Sequence, residues 1–237
     1  MTVKKITDVL SDAENEEEIH MNRKSIAQEY FALAVDKNGN MPPLHRDEAN
    51  AGLVAAGFMD LLINEIIKVE KKKITVIKDI PQELQHIESL YTYLNGKSCS
   101  IDKLMMDYYA GKKIRQLTSE VGKSLFEDGV ASAGSGGIFV SETTYIPEKC
   151  YREDLVRAIK SALVNNDEIT SHDVALIVLL QKTKNLNQYF SKQESEDVKD
   201  KLKEIKTNPQ NKQLAEMVED VSSMTLLILA TIFMYYV

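Results

Sequence analysis

The 237 residues contain no tryptophan and two cysteines, Cys99 and Cys150. So few thiols exclude a disulfide framework and a cysteine-rich zinc site. The four histidines, His20, His45, His86 and His172, are scattered, and none stands at metal-ligand spacing from another or from a cysteine. No metal and no cofactor is expected. Catalytic signatures are equally scarce. Gly134-Ser135-Gly136-Gly137 is not followed by the Gly-Lys-Ser/Thr of a phosphate-binding loop. Ala133 stands where a nucleophile elbow around Ser135 needs glycine. A long apolar run is also missing. The uncharged stretch at 224–237 falls short of the ~20 residues of a spanning helix. It reads as a buried C-terminal helix, because a helix that is apolar all round belongs inside a fold. The opening MTVKKITDVLSDAENEEE lacks the apolar run of a signal peptide. Together with the lysine, asparagine and isoleucine usage, this gives the expectation of a cytosolic bacterial protein.

What is present is an ordinary soluble composition, 43% hydrophobic and 27% charged, on a chain long enough to bury a core. The 29 Lys+Arg face 36 Asp+Glu, for a net charge of −7. That balance argues against a general nucleic-acid coat, which needs excess cations to displace counterions. The cations are unevenly spread. Residues 65–78 hold five lysines against two glutamates, and residues 97–123 hold six Lys/Arg against three Asp/Glu. If the two stretches meet in space they form a patch suited to an anionic surface, where a flexible lysine contributes about 1 kcal/mol. If they do not, they are two solvated faces, with the lysines protecting a strand edge.

The pattern predicts a mainly α-helical single domain: a helical-bundle core, surrounding amphipathic helices and two short β-hairpins. Residues 1–24 read as a flexible acidic arm and 25–237 as the domain. An apolar segment at 29–36 ends in the turn Lys37-Asn38-Gly39-Asn40, and Met41-Pro42-Pro43-Leu44 is extended. The first strong helix carries Leu53, Gly57, Leu61 and Leu62 on one face, with Asp47 or Asn50 as its cap. Its small residues, Ala49, Ala51, Ala55 and Ala56, predict close approach by neighbours. A charged hairpin follows at 66–78. Helices are expected at 81–95, from Ser100 as N-cap, and at 112–128 with Gly129 as terminator. A second hairpin pairs 130–132 with 138–144. Further helices are expected near 151–164, 170–189, 194–206, 209–221 and 222–236.

The succession helix, helix, two-stranded hairpin over 100–145 is also that of a winged helix. DNA binding is therefore a rival reading, with Lys112, Lys113, Arg115 and Lys123 on or before the recognition helix. The tip at 133–137 has no lysine or arginine for phosphate contacts, so a nucleic-acid partner is disfavoured. A second rival is a protein-interaction scaffold without a lipid site.

Taken in order, five segments resemble one family. They are YFALAVDKNGN; AGLVAAGFMDLLINEII with the lysine hairpin after it; KSLFEDGV with its hairpin; ALIVLLQKTKNLNQYF; and the apolar last stretch. The chain resembles the GPP34, or Golgi phosphoprotein 3, family in a bacterial version. The resemblance implies a non-enzymatic peripheral membrane protein. Eukaryotic members recognise phosphatidylinositol 4-phosphate and act as adaptors for membrane proteins. In some members the hairpin is linked to membrane contact and self-association. The resemblance thus implies anionic lipid headgroups and client membrane proteins as partners, and a homo-oligomer through the 66–78 hairpin. It places Lys71, Lys72 and Lys73 at the hairpin contact.

The family's lipid pocket uses a tryptophan, an arginine in the small-residue helix and two arginines before the second hairpin. These positions fall on His45, Val54, Arg115 and Thr118. With one arginine kept, the expected ligand is anionic headgroup with weak specificity, since a neutral side chain cannot replace a bidentate guanidinium. The residues expected to contact it are Arg115, Lys112, Lys113 and His45, at the cytoplasmic membrane face.

Overall fold

Ser25 begins the first described helix with a reciprocal cap. Its hydroxyl accepts the Gln28 amide, and the Gln28 side chain accepts from the Ser25 amide at 3.1 Å. Helix α1 then spans Ile26–Ala34, and all nine of its residues are buried. The computed structural model describes residues 23–70, 73–96, 99–108, 111–135, 143–164 and 169–207, together with Glu219. Lys71, Lys72, most of the expected helix at 209–221, the one at 222–236 and the tip at 136–142 lie outside the described residues.

Helix α2 (Arg46–Ile63) lies against α1 and buries nearly all of Ala49–Leu61. Neither Asp47 nor Asn50 is the cap of α2. A 3-10 turn at Pro43–His45 runs directly into α2, so His45 is the N-cap residue and makes no side-chain cap bond. Asp47 and Glu48 fall inside the first turn instead, where their charge favours the positive helix end. The small residues of α2 have a specific use at Gly52. A Cβ there would overlap the Tyr30 hydroxyl, which crosses α2 to donate to Ala49 O at 3.2 Å or Thr183 Oγ1 at 3.0 Å.

Among the described residues two hairpins punctuate the helices, as their sequence pattern predicts. Strands β1 (Ile67–Glu70) and β2 (Lys73–Val76) pair antiparallel in the register Ile67↔Val76. A third strand, β3 (Cys99–Ser100), joins β2 through Lys73↔Ser100 and Ile74↔Cys99. Between them the expected helix at 81–95 divides into a 3-10 segment, Gln82–Ile87, and α3 (Glu88–Asn95). Ser100 then caps α4 (Ile101–Tyr108) by accepting the Lys103 amide at 3.2 Å. Helix α5 (Lys112–Glu127) follows Gly111, and Gly129, at φ 73°, turns the chain out of it. Strands β4 (Ala131–Ser135) and β5 (Thr143–Pro147) form the second hairpin, whose return strand runs later than expected.

Helix α6 (Lys149–Val164) and α7 (Ser171–Lys182) follow. A second capping box, Thr170 with Asp173, starts α7, and Lys184 at φ 64° separates it from a 3-10 turn at Asn185–Gln188. Helix α8 (Lys192–Thr207) turns only Val198, Leu202 and Ile205 inward. The centre of the molecule is therefore α1, α2 and α7, with α5 against α1 and the β4–β5 hairpin against α5. Val174–Leu180 of α7 is buried on every side, the environment an all-round apolar helix requires. No helix among the described residues is long and apolar enough to cross a membrane.

An ionic cluster fixes the start of α1. Arg23 and Lys24, which the sequence groups with the acidic arm, are both held. Arg23 grips Glu29 at 2.8 Å through Nε and Nη2 and Asp173 at 2.7 Å through Nη1. Lys24 pairs with Asp128 at 2.9 Å. The Glu29 carboxylate also meets His172 Nε2 at 2.8 Å and accepts the Lys24 amide at 3.0 Å. Buried Asp60 of α2 accepts the amides of Ile26 and Ala27 at 2.8 and 2.9 Å, filling two of the donors that a helix start leaves open.

Candidate functional site

The two cation-rich stretches are neighbours because β3 stitches them together. Lys73 of β2 stands opposite Ser100 of β3. Ser100 in turn caps the helix that carries Lys103. Helix α4 leads through Gly111 to Lys112 and Lys113, the first two residues of α5. The strand pairing thus brings Lys73 of β2, Lys103 of α4 and Lys112, Lys113 and Arg115 of the start of α5 into one region, with Lys113 and Arg115 on different sides of α5. Lys73, Lys112, Lys113 and Arg115 are exposed.

Within the first hairpin, both glutamates are engaged by lysines. Glu65 meets Lys78 at 2.8 Å, and Glu70 meets Lys68 at 3.1 Å. Lys73 also faces Glu70 across the strand pair. Along α5 the placement of charge opposes the helix dipole. Its N-cap, Gly111, offers no side-chain bond, its first turn holds no acid, and two lysines occupy the positive end. Such an arrangement costs a few tenths to 1 kcal/mol per cation, and a bound anion would recover it.

Lys113 turns toward α3 and α4. Its ammonium lies 3.3 Å from Asp107 Oδ2 and 4.7 Å from the Tyr93 ring centre. Lys103 reaches the same Asp107 oxygen at 3.4 Å, and the Tyr93 hydroxyl donates to it at 2.7 Å. Those bonds, from Tyr93 first and then Lys113 and Lys103, hold the Asp107 carboxyl below its usual range. Burial, helped by the bond to Asp107, pushes the Tyr93 hydroxyl up, so it stays protonated and donates. Arg115, two residues beyond Lys113, leaves α5 about 200° further round the helix. Lys113 and Arg115 thus face different neighbours.

The four positions of the family's pocket are unequally placed. His45 is half-buried at the end of the 3-10 turn, its amide on Pro42 O at 3.1 Å. Val54 is 0% exposed, inside the core. Thr118 returns its hydroxyl to Ile114 O of its own helix at 2.7 Å. Lys71 and Lys72 lie outside the described residues.

Sequence reasoning did not single out Tyr93, Lys103 or Met106. Lys103 and Asp107 carry a local signal, the i,i+4 spacing of a helical ion pair. Met106, on the same face of α4 as Lys103, is 51% exposed, an apolar side chain among cations. Nothing local marks Tyr93, whose partners come from two later helices.

Comparison with curated proteins gives no match. The family model of Golgi phosphoprotein 3 (GPP34) matches residues 26–224, from the first residue of α1 to beyond α8. The chain belongs to the Golgi phosphoprotein 3 (GPP34) family.

Proposed function

We propose that this protein is a non-enzymatic peripheral membrane protein of the Golgi phosphoprotein 3 type, which docks on anionic lipid headgroups at the cytoplasmic membrane face. The observation that carries the reading is the pairing Lys73↔Ser100, which sets the hairpin beside the cations of α4 and α5. The two lysines at the positive end of α5 support it, since a local rule broken at a stability cost is expected where a ligand binds. Met106 supplies an apolar contact within the same region.

Headgroup specificity is weak in this reading. Val54 stands in the core where the family's pocket has an arginine, and Thr118 is tied to its own helix. Arg115, Lys112, Lys113 and, from the start of α2, His45 attract charge rather than read one phosphate. Client membrane proteins, and self-association along the outer edge of β1, are further parts of the proposal.

Co-sedimentation with phosphatidylcholine vesicles tests it. Binding is expected to rise with the phosphatidylglycerol fraction and to fall steeply with salt. At equal charge, the pocket positions at His45, Val54, Arg115 and Thr118 are expected to add little preference for phosphatidylinositol 4-phosphate. Absence of binding to strongly anionic vesicles at low salt would overturn the reading.

A further inference from the structure

Three donors from three helices meet at one oxygen beside β3. Asp107 Oδ2 accepts the Tyr93 hydroxyl of α3 at 2.7 Å and receives the ammoniums of Lys103 of α4 and Lys113 of α5 at 3.4 and 3.3 Å. Around them lies an open hollow of about 300 Å³, walled also by Thr92, Gly96 and Cys99. That volume is at the small end of the range for small-molecule sites. Both lysines are about half exposed, at 57% and 44%, so their ammoniums are reachable from water. Tyr93 is fixed behind them. Its ring stands edge-on to Tyr108 at 5.4 Å, and the Cys99 thiol lies 3.6 Å from its hydroxyl.

The charges do not balance. Among the described residues, two ammoniums face one carboxylate, which leaves one positive charge over. A carboxylate has acceptor sites on two oxygens, yet the hydroxyl and both ammoniums converge on one. Donors gathered round a point in this way suit an oxyanion that presents several oxygens and carries up to two charges. The Asp107 oxygen holds the place that such a ligand's oxygen would take.

We propose that this hollow binds the phosphate of a small phosphate monoester, with Lys103, Lys113 and Tyr93 as donors and Asp107 as the internal anion that the ligand displaces. The site is distinct from the family's pocket positions at His45, Val54, Arg115 and Thr118. The phosphate has two possible sources, a lipid headgroup or a free ester, and the inference rests on the membrane reading only for the first.

The test titrates the full chain with glycerol 1-phosphate, followed by amide chemical shifts, with glycerol as the control. Saturable shifts at Gly96, Lys103 and Lys113 are expected. The double change Lys103→Ala with Lys113→Ala should weaken binding at least tenfold, and Tyr93→Phe severalfold. Asp107→Asn should tighten it severalfold, because the competing charge is gone while the cations remain. Thermal melts establish that each variant is folded. Absence of saturable shifts, or unchanged affinity in Asp107→Asn, would overturn the proposal.

A vesicle arm separates the sources. Phosphatidic acid, a monoester, is compared with phosphatidylglycerol, a diester, at matched surface charge. A preference for phosphatidic acid that the double variant abolishes assigns the site to lipid and supports the proposal. Glycerol 1-phosphate binding without vesicle binding supports the site with a free ester and sinks the membrane reading alone. Vesicle binding without any glycerol 1-phosphate shifts overturns the site and leaves the membrane reading standing.

Discussion

Replacing Glu29 by Gln probes the contact that ties α1 to α7. Glu29 is 0% exposed, and its two oxygens receive four donors: Arg23 Nε and Nη2, the Lys24 amide and His172 Nε2. Four donors fill the four acceptor sites of a carboxylate. Glutamine keeps one oxygen and sets an NH₂ against the remaining donors. Breaking a buried pair by removing one partner costs about 3–5 kcal/mol. Arg23 keeps Asp173 and is partly solvated, so the lower end applies, about 3 kcal/mol. For a domain of this size that lowers Tm by roughly 6–12 °C.

The pH dependence has a definite sign. Burial pushes the Glu29 carboxyl up, but hydrogen bonds from His172 and Arg23 outweigh it and hold the group below its usual range. A folded value below the unfolded ~4.3 means stability that is complete above the unfolded value. It is lost as pH falls through the folded one. Glu29→Gln should therefore fall far below the wild type at pH 7 and approach it in acid. Thermal melts by circular dichroism at several pH values, with urea titrations to check for an unchanged slope, give the measurement. A Tm loss under about 2 °C at pH 7 would mean that desolvation of the carboxylate cancels its contacts, and would refute the reasoning.

Asp60 should titrate in the opposite sense. Burial raises its carboxyl to about 6 against the pull of the Ala27 and Ile26 amides, above the unfolded ~3.9. Its contribution is complete below the unfolded value and declines as pH rises through the folded one, so the Tm gap between wild type and Asp60→Asn should narrow from pH 4.5 to pH 7. Gly52→Ala should cost more than the ~1–3 kcal/mol of ordinary overpacking, because its methyl has nowhere to go but into the Tyr30 hydroxyl and ring; a melt close to wild type would contradict this. Of the two thiols, exposed Cys150 should react with a thiol reagent in the native protein while buried Cys99 reacts only on unfolding.

Periodicity and terminators made much of the fold legible. The small-residue helix, the lysine hairpin and Gly129 all follow from local spacing and turn chemistry. The start of α1 was written in Ser25 and Gln28, a capping-box spacing that apolar periodicity alone passes over. Two features could not be read. Strand β3 is two residues long, too short to show alternation, yet it joins the two basic stretches. The pairs Arg23–Asp173 and Glu29–His172 span most of the chain and leave no local trace. The candidate site was legible as charge, in Lys73, Lys112, Lys113 and Arg115. Its geometry was not, because Tyr93 of α3, Lys103 and Asp107 of α4 and Lys113 of α5 converge from three helices.

In the proposed function one flank, rather than net charge, carries the protein to an anionic membrane. The most direct measurement compares two triple variants of equal charge change on phosphatidylglycerol vesicles at fixed salt. The first is Lys73→Glu, Lys112→Glu and Arg115→Glu on the flank. The second is Lys149→Glu on α6 with Lys192→Glu and Lys199→Glu on α8, all exposed lysines elsewhere. At about 1 kcal/mol for each cation near the surface, the flank variant should lose at least tenfold in affinity, while the control stays within about twofold. An equal loss in both variants would contradict the account.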